Sequence, residues 1–252
     1  MTLKSLAKIH LKEPRPRSRI AMKAPKKHTF VVGDVHGEFD TLKALLERLP
    51  EGARVIFAGD LIDRGKKSRE TLKFIRESGF ECVLGNHEDK MLKFARDMSF
   101  SGFKRACELH KGFLERGGFE TLASYGICKR GGAELANKKW LEEFFEDMHW
   151  LAALPVYLET GVRRNRLPVV VSHAPMAERW SERGGAEFRE IALTSRKNPP
   201  AKTLIFNVFG HTPQKEVLLE PNFANVDTGC CYGKKLSALC IETGEIVSAN
   251  HR

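Results

Sequence analysis

Apolar and polar positions follow two alternating rhythms in the first third of the chain. Three short apolar runs rich in β-branched residues have the length and composition of buried strands, namely 29–32, 55–58 and 82–84. Between them, apolar residues recur at three- and four-residue steps from Phe39 to Leu49 and again at 71–75. The pattern predicts strand, helix, strand, helix, strand over residues 29–85, an arrangement that forms a parallel sheet with right-handed crossovers.

The hydrophobic pattern is helical in the middle of the chain and becomes strand-like again after it. Helical patterns and glycine-rich breaks fill residues 88–151, so we expect a helical insertion over the sheet. Strand character then returns in five segments, which are 155–158, 168–172, 203–209, 225–226 and 236–241. These segments predict a second sheet that completes a sandwich. The charged, proline-ended segment 178–201 is expected to be a surface loop near a polar substrate.

Potential ligands stand where the strands end. Each of the first three apolar runs leads into a motif that sets a ligand beside glycine, namely GDVHG at 33–37, GDLIDRG at 59–65 and GNHE at 85–88. Two histidines, His173 and His211, follow strand-like runs further along. Because binding crevices in open α/β sheets lie outside the carboxyl ends of the strands, these motifs can converge on one site. The joint occurrence is typical of a metal centre.

The residue types in these motifs suit two neighbouring metal ions. Asp34 and His36 can chelate one cation, and the Asp60 carboxylate can bridge two cations by giving one oxygen to each. Asn86 offers a neutral oxygen to the second ion, and two imidazoles complete that site. The predicted metal ligands are Asp34, His36, Asp60, Asn86, His173 and His211.

Mixed imidazole and carboxylate ligation favours manganese, iron, zinc or cobalt over calcium. Two such ions roughly 3.5 to 4 Å apart lower the pKa of a bridging water, so we expect hydrolysis of a phosphate ester by direct attack of the bridging hydroxide. His87 is expected to face the substrate as general acid, with Asp63 accepting a hydrogen bond from its other ring nitrogen. Arg64 can offer a guanidinium fork to the phosphate oxygens, beside Asn86.

The net charge changes this picture only at the N-terminus. Residues 1–28 hold nine Lys or Arg residues and one acidic residue, Glu13, so they carry +8 of the total charge of +10. We expect residues 1–27 to form a basic, disordered tail and residues 28–252 to form one metallophosphoesterase domain. Docking of the tail on an acidic partner, nucleic acid or a membrane surface is the alternative.

Hydropathy and cysteine spacing indicate the compartment. No apolar run approaches the roughly 18 residues of a membrane span, and the N-terminal segment lacks the apolar stretch of a secretory signal. Pro14, Pro16 and Pro25 break any long amphipathic helix of an organellar leader. We therefore expect a cytoplasmic protein whose six cysteines stay reduced, since none of them forms a CxxC pair.

The ordered set GDVHG, GDLIDRG, GNHE, SHA and GHT resembles the PPP family of metallophosphoesterases over residues 28–246. The resemblance implies an α/β fold, the calcineurin-like β-sandwich of two mixed sheets flanked by helices, and it implies the same metal ligands and the same roles for His87, Asp63 and Arg64. It implies manganese as the cofactor, or iron and zinc. It also implies a second phosphate-binding arginine, for which Arg196 matches best by position, followed by Arg179 and Arg183.

Family members act on phosphoproteins or on nucleotides, and the motifs leave both substrates open. Asp63 and Glu88 keep the protein-phosphatase pattern, which favours a phosphatase of phosphoserine and phosphothreonine. The alternative is a pyrophosphohydrolase of bis(5'-nucleosyl) tetraphosphates or of RNA 5' ends, with the 140–150 helical region or Tyr232 as a base-stacking surface. A third hypothesis makes the tail the functional element of a nucleic-acid or membrane binder.

Overall fold

The computed structural model of the chain describes residues 28–129, 132–133, 138–185 and 187–252. Its strands are β1 (Thr29–Val32), β2 (Arg54–Phe57), β3 (Glu81–Cys82), β4 (Cys128–Lys129), β5 (Gly132–Ala133), β6 (Tyr157–Arg164), β7 (Leu167–Ser172), β8 (Phe206–Phe209), β9 (Leu218–Leu219), β10 (Phe223–Asn225), β11 (Lys235–Cys240) and β12 (Ile246–Asn250). The predictions for the basic tail, 1–27, lie outside the described residues.

The helices of the described part lie mostly in the first two thirds of the chain. They are α1 (Phe39–Leu46), α2 (Ser68–Glu77), α3 (Asn86–Ser101), α4 (Phe103–Leu109), α5 (Lys111–Phe113), α6 (Phe119–Ser124), α7 (Lys138–Ala152) and α8 (Phe188–Thr194). Shorter helical segments are Leu114–Gly118, Ala177–Glu182 and Cys230–Tyr232. Helices α3 to α7 form the predicted insertion, together with the small hairpin β4–β5.

Two five-stranded mixed sheets form the predicted sandwich, and that prediction is confirmed. One sheet has the order β12-β11-β1-β2-β3, and the other has the order β6-β7-β8-β10-β9. The pairs β1–β2, β2–β3 and β7–β8 are parallel, as expected for strands joined by helical crossovers. None of the helices in the described ranges is long and apolar enough to cross a lipid bilayer.

Side-chain alternation along β1 explains how the layers separate. Val31 points into the core between the two sheets, where it packs in the same cluster as Val171 and Val208. Its neighbours Phe30 and Val32 point to the other face and pack against the helical layer. Because both faces of the strand are covered, the strand is apolar throughout and does not alternate with polar residues.

Two sequence-based expectations are corrected by the fold. Segment 236–241 was expected in the second sheet, but as β11 it pairs antiparallel with β1 and so belongs to the first sheet. Segment 178–201 is not a plain surface loop, because it contains α8 and a helical turn that bury Trp180 and Phe188 against the second sheet. The many charged residues of this segment predicted a solvent-exposed loop, although Trp180 and Phe188 are buried. None of the six cysteines, all of which lie in the described ranges, forms a disulfide bond.

The topology brings five strand ends together. The loops that follow β1, β2 and β3 leave the carboxyl edge of the first sheet and carry Asp34, Asp60 and Asn86. The loops that follow β7 and β8 leave the corresponding edge of the second sheet and carry His173 and His211. Backbone hydrogen bonds connect these loops to each other. The Asp60 carbonyl accepts from the His36 amide at 2.9 Å, and the His173 carbonyl accepts from the Gly210 amide at 2.9 Å.

Candidate active site

The loops that carry the site adopt an uncommon backbone conformation. Seven non-glycine residues in the described ranges have positive φ, and five of them belong to the predicted site: His36, Asp60, Asp63, Arg64 and His211. A left-handed conformation costs a non-glycine residue about 1 kcal/mol or more, and such residues cluster at functional sites where the surrounding structure holds them in place. The sharp turns aim consecutive side chains into the same space.

Glu88 holds the Asp60 loop in this conformation. Its buried carboxylate accepts hydrogen bonds from the backbone amides of Asp60 at 2.9 Å, Leu61 at 2.8 Å, Ile62 at 3.2 Å and Gly85 at 2.9 Å. Gly85 is required here, because a Cβ atom at this position would overlap the Asp60 backbone and the Glu88 carboxylate. Glu88 therefore shapes the loop from behind and does not face the substrate space.

One group of donor atoms converges on Asn86 Oδ1. His173 Nε2 lies 2.8 Å from this oxygen and His211 Nδ1 lies 3.0 Å from it, while the two nitrogens are 3.1 Å apart. Asp60 Oδ1 lies 3.4 Å from His173 Nε2. His173 Nδ1 lies 2.9 Å from the Ala58 carbonyl, to which it donates, so Nε2 presents a lone pair.

A second group of donor atoms lies on the other side of Asp60. His36 Nδ1 donates to the Ile62 carbonyl at 2.8 Å, so its Nε2 presents a lone pair, 3.5 Å from Asp60 Oδ2 and 4.0 Å from Asp34 Oδ2. The Asp34 carboxylate also accepts from the backbone amide of His211 at 3.1 Å. Burial, with the negative charges of Asp227 and Asp60, raises the pKa of Asp34 well above its usual range.

This donor set fits metal ions. The ligand atoms of Asp60, His173 and His211 lie within 4.8 Å of one another, and so do those of His36, Asp60 and His87. Burial lowers the pKa of His36 to about 3, and burial with the neighbouring His173 lowers the pKa of His211 to about 3, so both imidazoles are neutral. Neutral imidazoles and crowded carboxylates aimed at one buried space are stabilised by cations of the transition-metal type.

His87 is placed differently from the other histidines. Its Nδ1 lies 2.6 Å from Asp63 Oδ2, and the other Asp63 oxygen accepts from the Thr121 hydroxyl of α6 at 2.6 Å. Burial alone would lower the pKa of His87, but the charge of Asp60 and the hydrogen bond to Asp63 outweigh it, so the pKa is raised. His87 is therefore the histidine of this site that is suited to hold a proton, carried at Nε2.

Arg64 extends from the predicted metal ligands into the cleft. One guanidinium nitrogen lies 2.8 Å from His36 Nε2 and 3.5 Å from Cys231 Sγ, and the other lies 3.3 Å from His87 Nε2. The guanidinium also stacks over the Tyr232 ring, 5.2 Å from its centroid. The arginine fork thus stands beside both the predicted acid and the predicted metal ligands.

The site opens into a cleft of about 190 Å³ with a cationic lining. Besides Asp60, Arg64, Asn86, His87 and His211, the lining includes a lysine, two further arginines and three other side chains: Lys90, Arg116, Arg196, Phe113, Pro213 and Tyr232. Arg196 therefore reaches the cleft that holds the other predicted residues. Arg179 and Arg183 do not line it, since Arg179 pairs with Glu182 and Arg183 stacks on Trp180.

The structure separates the two predicted stacking surfaces. Tyr232 is 57% exposed and lines the cleft, whereas Trp140 lies over the Arg69 guanidinium and is not part of the lining. Three contributions were not found from the sequence: the bracing role of Glu88, the buried Asp227 beside Asp34, and the cations Lys90 and Arg116. The sequence VDTG at 226–229 could have drawn attention to Asp227. Lys90 and Arg116 could not be identified in this way, because charged residues on helical segments are usually exposed to solvent.

Comparison with known proteins gives the same picture of the fold. The model of the calcineurin-like phosphoesterase family matches residues 27–215. A candidate diadenosine tetraphosphatase of known structure superimposes with a TM-score of 0.61 at 21% identity, covering 91% of this chain and 96% of that chain. A protein serine/threonine phosphatase of Saccharomyces cerevisiae superimposes with a TM-score of 0.54 at 14% identity, covering 98% of this chain and 88% of that chain.

Curated relatives match along most of their length. The bis(5'-nucleosyl)-tetraphosphatase PrpE [asymmetrical] of Anoxybacillus flavithermus is 25% identical over 248 residues, which cover 86% of this chain and 92% of the relative. The protein of the same name from Bacillus subtilis is 26% identical over 253 residues, with the same coverage of 86% and 92%. The matched family and these relatives agree with the resemblance found in the motifs.

Proposed function

Since the chain belongs to the calcineurin-like phosphoesterase family and is a metallophosphoesterase, we propose that it hydrolyses dinucleoside polyphosphates at one phosphoanhydride bond. The relatives that match 86% of the chain carry the name bis(5'-nucleosyl)-tetraphosphatase. The structural observation that carries the proposal is the cationic cleft, in which Arg64, Lys90, Arg116 and Arg196 surround the predicted acid. Several phosphates in one substrate match several cations better than a single phosphate does.

The proposed metal ligands follow the two groups of donor atoms. Asp34, His36 and Asp60 would hold one ion, and Asp60, Asn86, His173 and His211 would hold the other. Manganese, or iron with zinc, suits this mixture of oxygen and imidazole nitrogen. When bound, such ions lower the pKa of a coordinated water and neutralise the charge of phosphate oxygens.

The side chains of the chain itself supply positioning and the proton. The oxygen of a water molecule that releases one proton to the solvent joins phosphorus while the bond from phosphorus to the bridging oxygen of the anhydride breaks. His87 gives the proton on its Nε2 to the leaving oxygen, and Asp63 keeps the imidazolium oriented through the 2.6 Å contact at Nδ1. Arg64 and Arg196, which both line the cleft, bind oxygens of the phosphate that is attacked.

Tyr232 is the proposed contact for a base of the nucleotide. It is exposed at the cleft, and its ring already stacks on the Arg64 guanidinium, which lies next to the phosphate position. Stacking of a base on an aromatic ring contributes about 1–3 kcal/mol and tolerates different bases. A substrate with two nucleosides is therefore favoured over a phosphorylated side chain at this edge of the cleft.

Hydrolysis of phosphoserine and phosphothreonine is the second candidate function, and one observation favours it. The His87–Asp63 pair is a complete general acid, which an alkoxide leaving group needs more than a phosphate leaving group does. Glu88 offers no substrate contact to either candidate, because its carboxylate accepts from four backbone amides and is 0% exposed.

A substrate panel at fixed free manganese tests the proposal. It contains diadenosine tetraphosphate, a phosphoserine peptide and p-nitrophenyl phosphate, and kcat/KM is measured for each. We expect kcat/KM for diadenosine tetraphosphate to exceed that for the phosphopeptide by about tenfold or more, as several charge-assisted hydrogen bonds would require. A higher value for the phosphopeptide would overturn the proposal and favour the second candidate.

A further inference from the structure

Two cations that line the cleft, Lys90 and Arg116, have no acidic partner within ion-pair distance in the part of the chain that the structure describes. The nearest acidic neighbour of Lys90 in sequence is Asp89, but its two oxygens pair with Lys93 at 2.8 Å and with Arg189 at 2.6 Å. Lys90 and Arg116 are therefore left to face the cleft.

Both cations are positioned beside the predicted acid by rigid elements. Lys90 lies three residues after His87 on α3, so the two side chains share one face of that helix. Arg116 is held next to Arg64, because the Arg64 amide donates to the Gly117 carbonyl at 3.2 Å. Gly117 has a φ of 129°, and a Cβ atom there would overlap the Arg64 backbone, so the two loops are in close contact.

Lys90 and Arg116 also act on each other as like charges. Lys90 is half-buried, and burial lowers its pKa; the charges of Arg116 and Arg64 act in the same direction, whereas those of Asp60 and Asp63 act in the opposite direction. Arg196 lies near His211, on which its charge acts. A cleft lined by several charges of one sign attracts ligands of the opposite sign.

The position of Lys90 and Arg116 beside His87 determines which part of the substrate they contact. His87 protonates the leaving oxygen, so the groups next to His87 contact the leaving group, whereas Arg196 stands near the metal ligand His211. A serine or threonine leaving group carries no charge that Lys90 and Arg116 could bind. A phosphate leaving group carries at least one.

We propose that Lys90 and Arg116 form a second phosphate subsite, which binds the phosphate that departs from the attacked phosphorus. The subsite selects phosphoanhydrides over phosphomonoesters. This inference rests on the proposed function and deepens it, because it assigns the discrimination to two residues of the helical insertion. The Lys90 ammonium is a compact charge and the planar Arg116 guanidinium can donate two parallel hydrogen bonds. Together they can bind two oxygens of one phosphate.

Charge removal at the subsite tests the inference. In Lys90→Met and Arg116→Met, the ratio of kcat/KM for diadenosine tetraphosphate to kcat/KM for p-nitrophenyl phosphate is expected to fall about tenfold or more, the effect of losing one charge-assisted hydrogen bond. Lys90→Arg should retain most of the ratio because it keeps the charge. The matched control is Lys93→Met on the same helix, whose side chain pairs with Asp89 and which should keep the wild-type ratio.

Inhibition separates failure of the subsite from failure of the proposed function. Pyrophosphate and orthophosphate are tested as competitive inhibitors of p-nitrophenyl phosphate hydrolysis, at fixed free manganese. We expect wild type to bind pyrophosphate at least about tenfold more tightly than orthophosphate, and Lys90→Met to lose most of that preference. If wild type prefers pyrophosphate but hydrolyses phosphopeptides faster, the subsite stands and the proposed substrate is wrong.

Two results would overturn the subsite itself. The first is an equal loss on the anhydride and on the monoester in Lys90→Met, since that would mean a general effect of charge on the site. The second is an unchanged preference for pyrophosphate in both methionine variants, because the phosphates would then be bound elsewhere. Circular dichroism and the melting temperature of each variant confirm that the fold is retained during these measurements.

Discussion

The two walls of the cleft are built in different ways. The sheet wall consists of the predicted metal ligands at the strand ends: Asp60, Asn86 and His211, which line the cleft, and Asp34, His36 and His173, which belong to the same groups of donor atoms. All of them except His211 are buried, and His36 Nδ1, His173 Nδ1 and the Asp34 carboxylate have hydrogen-bond partners in neighbouring loops. The insertion wall consists of Lys90, Phe113 and Arg116, and its two cations have no such partners within the described ranges.

The difference teaches how one fold separates reaction from substrate. The sheet wall has little freedom, since left-handed backbone and buried hydrogen bonds hold each donor atom, and this rigidity suits a metal site that must keep its geometry. The insertion wall is attached through the Thr121–Asp63 and Arg64–Gly117 hydrogen bonds, and its outer side chains can change without disturbing the donors. Under the proposed function, substrate choice can therefore vary while the chemistry stays the same.

The largest expected effect comes from the centre of the sheet wall. Asp60→Asn should lower turnover on every substrate by about 10³-fold or more, because the shared carboxylate is lost from both groups of donor atoms and metal ions contribute several kcal/mol to the transition state. Turnover and bound manganese are measured together. Asp40→Asn, on the exposed face of α1, is the control. Substantial turnover in Asp60→Asn would contradict the role of the sheet wall.

His87 joins the two walls, and its replacement should divide substrates by leaving group. His87→Asn is expected to lower kcat on phosphoserine peptide by about 10² to 10⁴-fold, and to lower it much less on p-nitrophenyl phosphate, whose phenolate needs little protonation. His110→Asn, which removes a histidine paired with Asp97 away from the cleft, is the control. Equal losses on the two substrates would argue against His87 as the acid.

Glu88 tests whether the sheet wall is held from behind. Glu88→Gln replaces an acceptor of four backbone amides with a group that turns a donor toward some of them, so we expect about 3 kcal/mol of destabilisation. That corresponds to a melting temperature lower by about 6–12 °C, measured by calorimetry. Glu77→Gln at the exposed end of α2 should change it little. A wild-type melting temperature in Glu88→Gln would show that the loop holds its own conformation.

The smallest expected effect concerns a buried carboxyl group of the insertion, Asp147. Asp147 of α7 accepts from the Tyr125 hydroxyl and lies 2.9 Å from the Arg76 guanidinium, and burial raises its pKa to about 6. A raised carboxyl pKa means that the folded state binds the proton more tightly than the unfolded state does. Its contribution to stability is therefore full below about pH 4 and is lost as pH rises to about 6.

The melting temperature of Asp147→Asn relative to wild type measures this contribution. The amide does not titrate, so the stability of wild type relative to the variant should fall by about 2 kcal/mol between pH 4 and pH 6.5. Glu146→Gln, an exposed position on the same helix, should show no such trend. A difference that stays constant over this range would mean that the Asp147 carboxyl titrates in its ordinary range when the protein is folded.

Much of the sheet wall could be predicted from the sequence because its signals are local. Glycine next to a ligand, directly after a buried apolar run, specifies a strand, a sharp turn and a side chain aimed outward within about seven residues. The motifs around Asp34, Asp60 and Asn86 therefore indicated both the strand ends and the chemistry. Periodicity likewise predicted α1, α2 and the helical insertion, since these helices bury one face against the sheet.

Only the tertiary structure decided what depends on contacts between distant parts of the chain. β11 joins β1 through a pairing of residues about 200 positions apart, and apolar alternation alone does not determine which sheet a strand enters. The four amides around Glu88 come from two loops that meet only in the fold. Lys90 and Arg116 are ordinary charged residues in sequence, and packing of the insertion brings them into the cleft that holds the predicted acid, His87. Local chemistry thus defined the reaction, while long-range packing determined the shape and charge that meet the substrate.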